Sequence, residues 1–157
     1  MTIETGARFL LDPKIKHGPN LMEVSAQGRE CRIDFYRRCI DLADELGAPL
    51  VSLWSGADLS GIVYSEDGDC GAALERLAEG LEKVLNHARE KQILIGFEPE
   101  PGMFIEGPAG YQALLEVLGA QGDDLGLTLD VGHLVVTGDL PERDVIHAFA
   151  QHLVHRL

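Results

Sequence analysis

The chain has 157 residues, 45% of them hydrophobic and 25% charged, which suits one globular domain with a real core. Its 26 acidic side chains outnumber 13 basic ones, giving a formal net charge of −13. Such a balance repels phosphate backbones and anionic bilayers, so neither nucleic acid nor membrane is an expected partner, although one local cation could still hold a small anion.

The opening MTIETGARFLLDP has no basic stretch followed by an apolar run, and no window approaches the ~20 apolar residues of a membrane helix. Cys31, Cys39 and Cys70 are odd in number and share no CxxC spacing, as expected of free thiols in a reducing compartment. The expected location is cytoplasmic.

Four apolar runs read as strands: TIETGARFLL near 2–11, PLVSLWS near 49–55, ILIGFE at 93–98 and LGLTLD at 125–130. Helical periodicity separates them. Ile33, Tyr36, Ile40 and Ala43 recur at three and four residues before the stop at Gly47. Leu74, Leu77, Leu81, Val84 and Ala88 form a second stripe, and Tyr111, Leu114, Leu115 and Leu118 a third. A fourth helix is predicted to start near Asp139 with Pro141 in its first turn. It would present Val145, Ile146, Phe149, Ala150 and Leu153, with His152 and His155 as polar positions near its end. The segments Asp12–Arg29 and Gly56–Gly71 read as long loops after strands, where parallel folds carry function.

Strict alternation of strand and helix implies a parallel sheet with crossover helices. No GxGxxG follows the first strand and no GxxxxGK[ST] occurs, which removes the main support for a nucleotide fold. Period two then discriminates further. Leu125, Leu127 and Leu129 share one side of their strand, and Gly126, Thr128 and Asp130 the other; Ile93, Ile95 and Phe97 oppose Leu94, Gly96 and Glu98. One face is greasy, while the other is small and ends in an acid. A doubly wound sheet needs both faces apolar, whereas a barrel opens its C-terminal rim onto an active site. The fold class is therefore α/β, a partial (β/α)8 TIM barrel of about four βα units. A complete barrel takes ~250 residues, so residues 1–157 are expected to form a single incomplete barrel domain.

Chemistry concentrates in two motifs. Glu98 ends its strand in FEPEPG, and Glu100 follows in a segment that Pro99 biases toward extension. Asp130 ends the next strand in TLDVGH, with Gly132 allowing a turn that returns His133 over the same mouth. Neighbouring parallel strands lie ~4.8 Å apart, so two carboxylates and an imidazole should converge. Crowded carboxylates repel unless one is protonated or a cation lies between them, and this donor set suits Mn²⁺, Mg²⁺, Co²⁺ or Zn²⁺. Trp54, on the same alternation as Ser52, is a candidate wall against the apolar face of a sugar. Arg8 shares its predicted strand side with Glu4 and Gly6; it could bind a phosphate or carboxylate, or form a rim ion pair with Glu4 or Asp12.

IGFEPEPG followed by LTLDVGH resembles the metal-binding core of the xylose-isomerase-like TIM barrels, and ETGARFLLDP and LVSLWSG are similar to its sugar isomerase/epimerase branch. The superfamily spans sugar and sugar-phosphate isomerases and epimerases, inosose dehydratases and abasic-site endonucleases. The resemblance implies Glu98 and Asp130 as metal ligands, Glu98 also as a proton carrier, and His133 as a substrate contact or, in some branches, a metal ligand. It further implies a third ligand, a histidine that would fall at about Leu157 or just beyond, and a later glutamate with no counterpart in this sequence. The expected function is a metal-dependent isomerase or epimerase of a small sugar or sugar phosphate, inactive if the later strands are missing. The alternatives are an abasic-site endonuclease-like hydrolase, which the acidity and the lack of a basic stripe oppose, and a non-catalytic barrel piece that pairs its open edges as a homo-oligomer.

Overall fold

The computed structural model describes residues 1–57, 63–66, 68, 70–139 and 142–156. Five strands, β1 (Thr2–Glu4), β2 (Leu50–Leu53), β3 (Leu94–Phe97), β4 (Leu125–Leu129) and β5 (Leu153–Arg156), form one sheet in sequential order. Every neighbouring pair is parallel. An order that never doubles back is that of a barrel wall, since a doubly wound sheet reverses at a switch point. The chain is a partial barrel.

Helices α1 (Ala26–Leu46), α2 (Gly71–Lys91) and α3 (Pro108–Leu118) cover the outer face. Ser25 caps α1 by accepting from the Gly28 amide, and Gly47, at φ 65°, ends it in the left-handed conformation that glycine enters without strain. The predicted stripes are the buried ones: Ile33, Tyr36, Ile40 and Ala43 on α1, and Leu74, Leu77, Leu81, Val84 and Ala88 on α2. They pack on Val51, Leu53, Ile95, Phe97, Leu125, Leu127 and Leu129 of the sheet. Tyr111 of α3 stacks on Phe97 at 6.0 Å and donates its hydroxyl to the Leu125 carbonyl.

The inner face is built from small groups. Ser52 Oγ on β2 donates to Thr128 Oγ1 on β4 at 3.2 Å, reaching across β3. Only the missing side chain of Gly96 permits this, because a Cβ there would fall inside the contact radius of Thr128 Oγ1. This layer lies directly beneath the positions at which β3 and β4 end in acids.

Two predicted boundaries are corrected. The strand drawn over 2–11 stops at Glu4; Phe9 takes φ 54° and residues 8–11 form turns, so strand alternation does not reach Arg8. The single helix predicted from Asp139 is instead α5 (Glu142–Ala148) followed by β5, and an unpredicted short helix, α4 (Val131–Thr137), precedes it. Leu153 pairs with Leu127, and His155 with Thr128, so neither histidine of the tail ends a helix. Four residues of strand carry too little pattern to outweigh a helical run that happens to continue through them. Pro141, Leu157 and parts of the Gly56–Gly71 loop lie outside the described residues. Among the described residues no helix is long and apolar enough to cross a membrane, and the three cysteines are free.

Gly96→Ala should destabilise the fold by about 1–3 kcal/mol, because the added methyl must displace Thr128 and break its bond to Ser52. Urea denaturation of the variant against the parent measures this.

Candidate functional site

Glu98 follows β3 directly; its amide donates to the Leu53 carbonyl of β2, which continues the ladder and fixes the carboxylate at the mouth. Its side chain is only 11% exposed. Asp130 follows β4 and caps α4. Its Oδ1 accepts from the amides of Gly132 and His133, at 2.7 and 3.3 Å, leaving Oδ2 free for other partners. The turn at Gly132 is the first turn of α4, where a Cβ would come within 3.0 Å of Asp130 Oδ1.

The turn of α4 brings His133 back over both acids. Its Nδ1 lies 3.2 Å from the Pro99 carbonyl and 3.6 Å from Glu98 Oε1, while Nε2 lies 3.5 Å from Asp130 Oδ2. A carbonyl only accepts, so the proton on Nδ1 faces Pro99. In the neutral ring this leaves the Nε2 lone pair toward Asp130 Oδ2, with a nitrogen free to ligate. One ligand atom each from Glu98, Asp130 and His133 lies within 4.8 Å of the others.

The electrostatics are unbalanced. Glu98 is pushed up to about 7, first by burial and then by the neighbouring charges of Glu100, Glu4 and Asp130, with only His133 opposing. No lysine or arginine among the described residues pairs with it. Two carboxylates and an imidazole that converge without a fixed cation make a hard donor set suited to a divalent ion, so the residues present fit such a group.

A hollow of about 370 Å³ opens above these atoms, lined by Glu4, Trp54, Glu98, Glu100, Asp130 and His133 among others. Trp54 is 5% exposed yet forms part of this wall, so it is at once core and lining. Gly6 lies against its indole nitrogen, and His17 meets the ring edge-on at 5.1 Å. Arg8 is not in this hollow. It lies on an exposed turn and lines an adjoining one, and its predicted ion pair with Glu4 or Asp12 does not form. His152 sits at the far end of the sheet, its Nδ1 3.2 Å from the Leu125 carbonyl, remote from the carboxylates.

The model of the xylose isomerase-like TIM barrel family matches residues 5–155. The chain belongs to that family. Solved structures agree in fold. L-ribulose 3-epimerase matches with a TM-score of 0.77 at 17% identity, over 99% of this chain and 48% of its own. The Escherichia coli 3-keto-D-glucoside 4-epimerase gives 0.72 at 11%, over 90% and 55%, and the D-allulose 3-epimerase of a Methylomonas species 0.70 at 13%, over 87% and 46%. The chain thus spans about half the length of these structures. The family's barrel accounts for the parallel, sequential sheet and the C-terminal mouth at which Glu98 and Asp130 meet.

Two contributors escaped the sequence reading. Glu4, the last residue of β1, faces the same mouth and acts on Glu98. His17 lies in a loop with no periodicity to read, and its place beside Trp54 is set by tertiary contacts.

In the metal-free protein, burial lets Glu98 keep its proton in the folded state up to about 7, whereas the unfolded chain loses it near its ordinary value of 4.5. The stability it lends is complete below that value and is lost as pH rises through 7, by at most about 3 kcal/mol. Denaturation in EDTA at pH 5 and pH 8 should show this loss in the parent and a smaller one in Glu98→Gln.

Proposed function

We propose that this chain carries part of the active site of a divalent-metal-dependent isomerase or epimerase acting on a small sugar or sugar phosphate. The observation that supports it is the convergence of Glu98, Asp130 and His133 at the strand ends, with a desolvated carboxylate that lacks a fixed cation. Residues 1–157 are taken as one barrel-derived domain. Its edge strands β1 and β5 are where a second copy would pair.

Glu98 and Asp130 would hold the ion through carboxylate oxygens and His133 through Nε2. When bound, Mn²⁺, Mg²⁺, Co²⁺ or Zn²⁺ supplies Lewis-acid polarisation of a substrate carbonyl. Beside a dication Glu98 is held as the carboxylate, the form that accepts a proton. It then removes the proton from the carbon next to the carbonyl; returning it to the former carbonyl carbon, while the adjacent hydroxyl proton passes to the former carbonyl oxygen, isomerises the sugar, and otherwise it returns to the same carbon. Epimerisation also requires delivery from the opposite face of that carbon, so Glu98 serves one face. Asp130 is aimed by two backbone amides, which fixes its Oδ2 without a side-chain rearrangement. His133 is fixed by the Pro99 carbonyl and contacts the substrate's oxygens or the ion. Trp54 offers an apolar wall on which a sugar face can stack, while burial around Glu98 excludes competing water.

Mn²⁺ at about 100-fold over its Kd should raise the melting temperature by roughly 5–10 °C. Asp130→Asn should abolish that rise, and a parent chain that shows none argues against the site. With a ketose in D₂O, the Mn²⁺-loaded protein should exchange the carbon-bound proton next to the carbonyl. Glu98→Gln should slow this exchange at least about 100-fold, the usual weight of a positioned acid or base; proton NMR reads both.

A further inference from the structure

A second hollow of about 630 Å³ continues from the first and shares Gly6, Trp54 and Glu100 with it. Its far wall is of opposite sign, formed by Arg8, Lys16 and His17. In a chain of net charge −13 with only 13 lysines and arginines, this grouping runs against the overall composition. Among the described residues neither Arg8 nor Lys16 has a carboxylate within ion-pair distance.

The wall is built rather than loose. The Phe9 amide donates to the Lys16 carbonyl at 2.8 Å, which closes the turn and sets Arg8 beside Lys16 and His17. The buried guanidinium of Arg32 donates to the Pro19 carbonyl at 2.7 Å and the His17 carbonyl at 3.3 Å, anchoring the loop on α1. Asn20, equally buried, donates to the Ala57 carbonyl and ties the loop to the one that follows β2. The ring nitrogen Nδ1 of His17 is buried with no hydrogen-bond partner. Burial pushes the His17 pKa below its ordinary value, and the nearby charges of Lys16, Arg8 and Arg32 lower it further.

The cleft is thus dipolar about Trp54, with Glu4, Glu98, Glu100 and Asp130 at one end and three cationisable groups at the other. We propose that the Arg8–Lys16–His17 wall is an anion subsite, which takes the phosphate or carboxylate that a sugar bears at the end remote from its reacting carbon. Arg8 and Lys16 donate charge-assisted hydrogen bonds to the anion, and Trp54 lies under the sugar between the two ends. This rests on the isomerase/epimerase reading for the identity of the ligand as a sugar, and it selects anionic over neutral substrates.

Calorimetric titration of the whole chain tests it with matched probes: D-fructose against D-fructose 6-phosphate, D-glucose against D-glucuronate, and inorganic phosphate alone. One charged member should bind at least about tenfold tighter than its neutral partner. That preference should fall below about threefold in R8Q/K16Q, whose side chains are exposed and whose melting temperature should match the parent. The pair with the larger ratio assigns phosphate or carboxylate. A phosphate-dependent shift of the His17 ring resonances supports the subsite even where Mn²⁺ fails to bind, a result that would defeat the metal reading alone. Equal affinity for charged and neutral probes with no His17 shift overturns the subsite, as does a preference unchanged in R8Q/K16Q.

Discussion

One carboxylate is desolvated at the end of a buried strand with no lysine or arginine among the described residues pairing with it, and the rest of the site is arranged around that imbalance. Burial of an unpaired carboxylate is costly, and a folded chain relieves it by protonation, by a fixed cation or by a bound one. At Glu98 the imidazole of His133 gives partial relief, while Asp130, Glu100 and Glu4 add to the burden. This imbalance at the mouth of the barrel is what the proposed cation would relieve.

The fold supplies this geometry through small residues more than large ones. Parallel strands in sequential order deliver consecutive C-terminal ends to one rim, which places the residue after β3 beside the residue after β4. Glycine at 96 lets Ser52 and Thr128 meet across the intervening strand, closing the layer beneath the site with a hydrogen bond. The outer face does the opposite work: Ile95, Phe97, Leu127 and Leu129 anchor the same strands in the helical layer. Two sides of one strand thus serve stability and chemistry separately, a division the barrel architecture imposes.

The parts legible in the sequence were those with a period. Alternation along ILIGFE and LGLTLD correctly separated the helix-facing residues from the line that ends in Glu98 and Asp130, and three-and-four spacing marked the buried faces of α1 and α2. The illegible parts were governed by contacts between segments far apart in the chain. β1 ends at Glu4, and the following turn is held by the bond from Phe9 to Lys16, which no local pattern announces. β5 hides inside a helical pattern because its only justification is the exposed edge of β4. Arg32 reads as a polar position on an amphipathic helix, yet it is buried and spends its donors on the carbonyls of a loop some fifteen residues away. Motif and period located the acids. The sequence also offered Arg8 as an anion contact, while tertiary structure alone placed Lys16 and His17 beside it.

In the proposed site Glu98, Asp130 and His133 together surround one cation. Anomalous diffraction at the manganese edge, from crystals grown with Mn²⁺, tests it most directly. A single strong peak within coordination distance of an oxygen of Glu98, an oxygen of Asp130 and Nε2 of His133 is the expected result. Manganese bound elsewhere with those three side chains unliganded, or no peak at saturating Mn²⁺, would contradict it.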